Sequence, residues 1–304
     1  MKNAERRERF SARNPYLRVR TIENMMDKML NIKGNLVSLD TPVVMGILNV
    51  TPDSFYAASR QRGEADIERR IETILSEGGA WIDVGGYSSR PDAEDVSPEE
   101  EMRRLEPALR LLRDRYPEVP VSLDTFRAEV ARWGVEEYGV ALINDISGGE
   151  LDEAMFRTVA GLRVPYLLMH MRGTPRTMQR HTDYADLMEE VMLYFARKVR
   201  ELRLLGVNDI ILDPGFGFSK TLEQNYRLMH HLEEFAVFEL PLLVGVSRKS
   251  MIYRLLDATP EESLNGTTVL NTFALLHGAD ILRVHDVRQA VEAVRIVRQL
   301  KTEA

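Results

Sequence analysis

From residue 43 onward, short apolar runs alternate with longer amphipathic segments, and the alternation does not lapse. Val43–Leu48, Trp81–Val84, Val119–Leu123, Ala141–Ile143, Tyr166–Met169, Ile210–Leu212, Leu242–Val246 and Ile281–Val284 are near-continuous in apolar residues, the pattern of strands covered on both faces. The segments between them are long enough for helices and carry apolar residues at helical spacing, as in Leu187, Met188, Val191 and Met192. Eight strands alternating with helices predict an α/β fold of the (β/α)8 TIM barrel type. A doubly wound open sheet is the alternative that strand count leaves open.

Local signals punctuate this pattern. Ser97-Pro98-Glu99-Glu100 predicts a helix start, with Ser97 capping and Glu100 reaching back, and Thr259-Pro260-Glu261-Glu262 repeats the device. Asp286, with Gln289 three residues on, is expected to open the last helix. Gly78-Gly79, Gly206 and Gly278 fall where helices should end. Before the barrel, Met29–Leu39 places Gly34-Asn35 between two apolar segments and predicts a hairpin. The expected division is therefore an N-terminal extension and hairpin over 1–42 and a barrel over 43–304.

The chain has 304 residues, of which 44% are hydrophobic, and no apolar run approaches the ~20 residues of a membrane span. With 40 Lys and Arg against 47 Asp and Glu, the net charge of −7 argues against a nucleic-acid partner while leaving room for a local basic pocket. Zero cysteines exclude disulfides, a thiol nucleophile and thiolate metal sites. Residues 1–20 hold seven cations and two glutamates, but no apolar core follows, so no secretory signal is read. Glu5 and Glu8 disfavour an organellar transit peptide, and a cytoplasmic location is expected.

The ends of the strands carry the chemistry. Asn49, Asp83, Asp124, Asn144, His170, Asp213, Ser247, Arg283 and His285 each stand at or just past a strand end, and in a barrel these positions converge on one mouth. Asp124, Asn144 and Asp213 suit a ligand edge rich in N–H donors, such as an amino-pyrimidinone, although each alone could instead cap the helix after it. Ser247-Arg248-Lys249-Ser250 and Arg283-Val284-His285 end the last two strands, the usual phosphate corner of this fold. Lys249 and Arg283 are assigned to the pocket; Arg248, alternating away from its neighbours, is expected to face solvent or bridge to an acid. His170 reads as a buried, hydrogen-bonded histidine rather than a general base. Asn49–Phe55 and Gly85–Pro91 read as loops that close over a substrate. No Walker loop, dinucleotide fingerprint or paired-histidine metal motif is present.

Read in order, MGILNVTPDSF (45–55), IDVGGYSSRP (82–91), VSLDTFRAEVA (121–131), INDISGG (143–149), LMHMRGTPRTMQ (168–179), LDPGFGFSKTLEQN (212–225), VGVSRKS (244–250) and RVHD (283–286) resemble the dihydropteroate synthases of the pterin-binding barrel superfamily. The resemblance implies a transferase of folate biosynthesis. It would condense 6-hydroxymethyl-7,8-dihydropterin pyrophosphate with p-aminobenzoate, with Mg2+, and be a homodimer and a sulfonamide target. It implies pterin contacts from Asp124, Asn144, Asp213 and Lys249, and pyrophosphate contacts from Asn49, Ser89, Arg90, Arg283 and His285. Ser89, Pro91, Phe218 and Ser247 would line the p-aminobenzoate site, and Asn49 would be the metal ligand. The catalytic set is Asn49, Asp124, Lys249, Arg283 and His285. The chain departs from the family pattern at Tyr56–Arg60, where a Ser-Asp-Gly-Gly type segment is common, and at Tyr87 and Ser89, where Glu and Thr are common. A silent pterin-binding barrel and a methyltetrahydrofolate:corrinoid methyltransferase are the alternatives.

Overall fold

The computed structural model describes residues 28–51, 60–87 and 96–302. Strands β1 (Met29–Ile32) and β2 (Asn35–Ser38) form an antiparallel hairpin. Its turn lies one residue earlier than expected: Lys33 and Gly34 occupy it at φ 51° and 85°, and Asn35 pairs with Ile32. Positive φ at both central residues is what a two-residue hairpin turn with the twist of its strands requires.

Eight parallel strands follow: β3 (Val43–Asn49), β4 (Trp81–Gly85), β5 (Val121–Asp124), β6 (Leu142–Asp145), β7 (Tyr166–Met169), β8 (Ile210–Asp213), β9 (Leu243–Val244) and β10 (Ile281–Val284). They run in the order β8-β7-β6-β5-β4-β3-β10-β9, and a Leu212–Leu242 bridge joins the two ends, giving the expected (β/α)8 barrel. The ring of helices is α1 (Arg60–Ser76), α2 (Pro98–Arg115), α3 (Ala128–Tyr138), α4 (Met155–Leu162), α5 (Leu187–Leu204), α6 (Leu222–His230), α7 (Ser250–Tyr253), α8 (Leu264–Leu276) and α9 (Val287–Thr302). Strand β9 is shorter than the apolar run Leu242–Val246, because the chain leaves the ladder after Val244 and turns, with Lys249 N donating to Val246 O at 3.1 Å.

Alternation along each strand divides the core in two. Leu48, Ile82, Leu123, Ile143, Leu168, Leu212 and Leu282 point outward against the helices. Met45, Trp81, Leu142, Leu167, Ile211, Leu243 and Ile281 point inward, and Leu30, Ile32 and Leu39 of the hairpin segment seal them from below. Lys28 pins this plug to Asp280 at 2.6 Å. The barrel floor is thus filled and apolar, which leaves the opposite end for polar chemistry.

Helix boundaries correct some expectations. Ser97 caps α2, accepting from Glu100 N at 3.2 Å, but the Glu100 carboxylate binds Arg103 and Arg104 instead of reaching back. Thr259 and Glu262 do pair, yet they close a turn, and α8 begins at Leu264. Asp286 does open α9, its backbone O accepting from Ala290 N at 3.3 Å, while its carboxylate is taken by Arg248. Gly78, Gly206 and Gly278 adopt the left-handed conformation at helix ends as expected.

Candidate active site

The inward period-two register that builds the apolar floor also lifts Asp83, Asp124, Asn144, Asp213 and Arg283 toward one mouth. Arg283 on β10 spans the barrel. It donates from Nε to Asp83 Oδ2 at 2.6 Å and from Nη2 to Asp124 Oδ2 at 2.8 Å. Asn144 Nδ2 donates to the same Asp83 oxygen at 3.1 Å. Asp83 was marked in sequence only as one of many strand-end residues. It is fully buried, and its Oδ1 has no hydrogen-bond partner among the described residues. Burial opposes the Arg283 charge, but Asp83 and Asp124 outweigh it and hold the pKa above its ordinary value. Burial pushes the Asp124 carboxyl up to about 7; Arg283 pulls against that shift and Asp83 adds to it. Nη1 of Arg283 makes no hydrogen bond among the described residues, so one edge of the fork remains for a ligand.

The facing wall is built by the turn after β8. Asp213 accepts from Gly215 N at 2.8 Å through Oδ1, and burial raises its pKa. Lys249 lies across this turn: its Nζ donates to Phe216 O at 2.7 Å and sits 4.8 Å from the Phe218 ring centre. Gly217 is needed for that approach, since a Cβ there would meet Lys249 Cδ at 3.3 Å and the backbone has φ 83°. Burial lowers the Lys249 pKa to about 8, with Asp213 opposing.

Between these walls stand His285 and Ser247. His285 places its backbone N 3.1 Å and its Nδ1 3.2 Å from Ser247 Oγ. Burial, then Arg283 and Arg248, bring its pKa down to about 4, so the imidazole is neutral at pH 7. Arg70, from α1, donates to Ile47 O and to His285 O and so ties the ends of β3 and β10 together. Arg248 points away from the mouth and holds Asp286 with two bonds of 3.0 and 2.6 Å. Its φ of 56° shows that a left-handed turn, not strand alternation, directs it outward.

Asn49 ends β3, and its side chain makes no hydrogen bond among the described residues. A Cβ at Gly85 would lie 3.5 Å from Asn49 Oδ1 and 3.6 Å from Asp124 Oδ2, so the amide and the carboxylate flank the same bare stretch of β4. Among the described residues no group of three or more His, Asp or Glu forms a metal cage. A hard cation that keeps its waters and takes phosphate oxygens needs only one amide oxygen here, and Asn49 fits that requirement.

The mouth is apolar on one side. Phe218 packs with Ile146, Met169, Met171 and Met178, and Phe126 joins them. Tyr87 meets Phe126 edge-on at 5.0 Å, with the Arg127 guanidinium over both rings. Ser89, Arg90 and Pro91 lie outside the described residues, as do Pro52–Ser59 of the first loop and the N-terminal extension before Lys28.

Two buried groups escaped the sequence reading. Asp145, next to Asn144, accepts from Ser147 N and Oγ, Gly149 N and Tyr166 OH, so it shapes the loop after β6. Lys220 is 3% exposed and directs its ammonium to His170 Nδ1, Gly215 O and Phe218 O. His170 is buried and engaged, as read from the sequence. A lone lysine after a glycine-rich turn carries no signal of burial, which only the fold supplies.

Comparison with known proteins agrees with this geometry. The pterin binding enzyme family matches residues 45–285. The dihydropteroate synthase of Escherichia coli K12 is 43% identical over 267 residues, covering 87% of this chain and 94% of that protein. A crystal structure of the Yersinia pestis dihydropteroate synthase with a sulfonamide drug superposes with a TM-score of 0.83 at 39% identity, covering 90% of this chain and 99% of that one. The Xanthomonas albilineans dihydropteroate synthase with 4-aminobenzoic acid gives a TM-score of 0.83 at 34% identity, covering 90% and 98%.

Proposed function

The chain belongs to the pterin-binding enzyme family, among the dihydropteroate synthases, and on that premise we propose how its barrel mouth joins p-aminobenzoate to 6-hydroxymethyl-7,8-dihydropterin pyrophosphate. The observation that carries the reading is the convergence of Asp124, Asn144, Asp213, Lys249 and Arg283 on a single cup.

Asp124 and Asp213 accept from the N–H edge of the pterin, Asn144 supplies both a donor and an acceptor, and Lys249 donates from the turn that faces them. The carbon–oxygen bond between the pterin methylene and the diphosphate breaks, and its electron pair leaves with the diphosphate oxygen. Arg283, through its open edge, and neutral His285, through a ring N–H, stabilise that leaving anion. Asp124 and Asp213 favour the cationic pterin left behind. The amine nitrogen of p-aminobenzoate, packed on Phe218 beside Ser247, then forms the carbon–nitrogen bond and releases its proton to solvent. Ser89, with Arg90 for the diphosphate and Pro91 for the amine, keeps the assignment that the family resemblance implies, and excluding water from the mouth would protect the cation from capture. Asn49 would hold Mg2+, which when bound neutralises charge on the diphosphate oxygens.

No described helix is long and apolar enough to cross a membrane. Helices α8 and α9 leave Val269, Leu276, Ile296 and Leu300 about half exposed or more, and this apolar face is the proposed homodimer surface. A cytoplasmic location is proposed for this activity.

The test is direct. Protein, both substrates and Mg2+ should yield dihydropteroate, with sulfonamides raising the apparent KM for p-aminobenzoate and leaving kcat unchanged. Pterin binding with no product at high protein concentration would instead indicate a silent binder.

A further inference from the structure

The turn Gly215–Phe218 closes on itself through Phe218 N to Gly215 O at 3.1 Å, with Gly215 and Gly217 at positive φ. It contributes Phe218 to the amine side of the mouth and the Phe216 carbonyl to Lys249. Its own two end carbonyls point down into the protein, where the Lys220 ammonium meets both at 3.1 Å and His170 Nδ1 at 3.0 Å. An ammonium has three donors, and here three buried acceptors consume them. Charged Lys220 calls for an unprotonated His170 Nδ1, and burial, then the Lys220 charge, keeps the His170 pKa well below the usual value. Burial also brings the Lys220 pKa down to about 7 against the pull of Asp213.

We infer that Lys220 is a positioning residue for the amine half of the reaction: it clamps the Gly215–Phe218 turn to the end of β7 and so fixes Phe218 and the Phe216 carbonyl that orients Lys249. It touches no reacting atom. Other tethers hold the outer edge of the same segment: Gly217 N to Asn225 Oδ1 at 2.6 Å, Tyr184 OH to Ser219 O at 3.0 Å, and Ser219 Oγ to the Arg172 backbone. Removing the ammonium therefore frees the turn carbonyls without releasing the segment. The pterin side depends on the turn less: Asp124 and Asn144 belong to the Arg283–Asp83 network on the far side of the barrel, and only Asp213, through Gly215 N, and Lys249, through Phe216 O, meet the turn.

The inference rests on the assignment of Phe218 to the p-aminobenzoate site, and the experiment separates the two. Steady-state dihydropteroate formation is measured on the full chain with each substrate varied in turn. Lys220→Met, which keeps length but loses all three donors, should raise the KM for p-aminobenzoate about tenfold and the KM for the pterin diphosphate, which meets the turn only through Asp213 and Lys249, by about threefold or less. His170→Phe suits the aromatic surroundings of Tyr184, Tyr194 and Phe195 and removes one acceptor, so it should raise the same KM by a smaller factor. If Lys220→Met does not fold, His170→Phe decides alone. An unchanged amine KM, or an equal rise in both, overturns the inference. A wild-type chain that makes no dihydropteroate overturns the function instead.

Discussion

Arg283 and Asp124 are joined across the barrel mouth by a 2.8 Å bond from Nη2 to Oδ2, so the cation proposed for the leaving diphosphate and the carboxylate proposed for the pterin are one electrostatic unit. Asp83, bound to the same guanidinium at 2.6 Å, is its buried anchor. Neither half can be altered without the other.

Two substitutions at Arg283 separate charge from geometry. Arg283→Lys keeps the cation but cannot fork between two carboxylates while also facing a ligand, so turnover should fall by roughly 100-fold with the fold retained. Arg283→Ala leaves Asp83 buried without a counter-charge and should cost about 3–5 kcal/mol of stability as well, since breaking a buried pair is far worse than never having had one. Chemical denaturation beside an activity assay tells the two apart. A fully active Arg283→Lys enzyme would remove the fork from the mechanism.

The mouth should bind pterin best in a narrow pH window. Asp124 must be a carboxylate to accept N–H donors, and its pKa stands at about 7. Lys249 must be an ammonium to donate, and its pKa stands at about 8. Affinity measured by calorimetry should therefore fall on both sides of this interval, approaching tenfold per pH unit on the acid limb. Asp124→Asn cannot lose a proton; it should weaken binding and flatten the acid limb while the alkaline limb, set by Lys249, stays. An acid limb unchanged in Asp124→Asn would assign it to another group.

Much of this arrangement was legible in the chain, for a physical reason. Parallel strands covered on both faces announce themselves as apolar runs, and the polar residue that ends each run is forced to the mouth by strand direction alone. Strand direction therefore gathers Asp124, Asn144, Asp213 and Arg283 at one mouth on the strength of the pattern alone. What the sequence hides is pairing across the barrel. Nothing in the spacing of Asp83 and Arg283, 200 positions apart, predicts a 2.6 Å bond, because it depends on which inward layer each strand delivers. Lys220 is hidden for the same reason, its three acceptors coming from β7 and from a turn that glycines allow but do not specify. Turn residues were misplaced by one at the hairpin, where Lys33 adopts a left-handed conformation usually left to Gly or Asn.

Two buried imidazoles should cost the fold stability as pH falls, against the opposite pull of Asp124 and Asp213, whose raised pKa values favour the folded state in acid. Burial lowers the His285 pKa to about 4 and holds that of His170 well below its usual value, whereas in the unfolded chain both return to about 6.5. The unfolded state therefore takes up protons first, so the stability these two contribute is complete above pH 6.5 and declines as pH falls toward 4. Each tenfold difference in proton affinity is worth about 1.4 kcal/mol, so the loss at His285 alone is on the order of 3 kcal/mol. Thermal unfolding between pH 7 and 4.5 should show the Tm of His170→Phe rising relative to that of the wild type as pH falls, because the variant no longer buries an imidazole that acid would charge. A Tm difference that stays constant across this range would mean that the His170 imidazole is solvated in the folded protein.

The apolar face on α8 and α9 gives the final expectation. Val269 and Leu276 stand seven residues apart on α8, and Ile296 and Leu300 stand four apart on α9, so each pair shares one side of its helix. The two helices run side by side, with Lys301 reaching Leu275 O at 2.9 Å. Four aliphatic side chains exposed by 48 to 60% on adjacent helices resemble half of an interface more than a solvated surface. Light scattering coupled to size exclusion should report a dimer, and Val269→Glu with Ile296→Glu should convert it to a monomer. Because every residue assigned to the mouth other than those outside the described segments comes from one chain, that monomer should keep substrate affinity, losing thermal stability instead. A wild-type monomer, or a double variant that remains dimeric, would move the interface elsewhere.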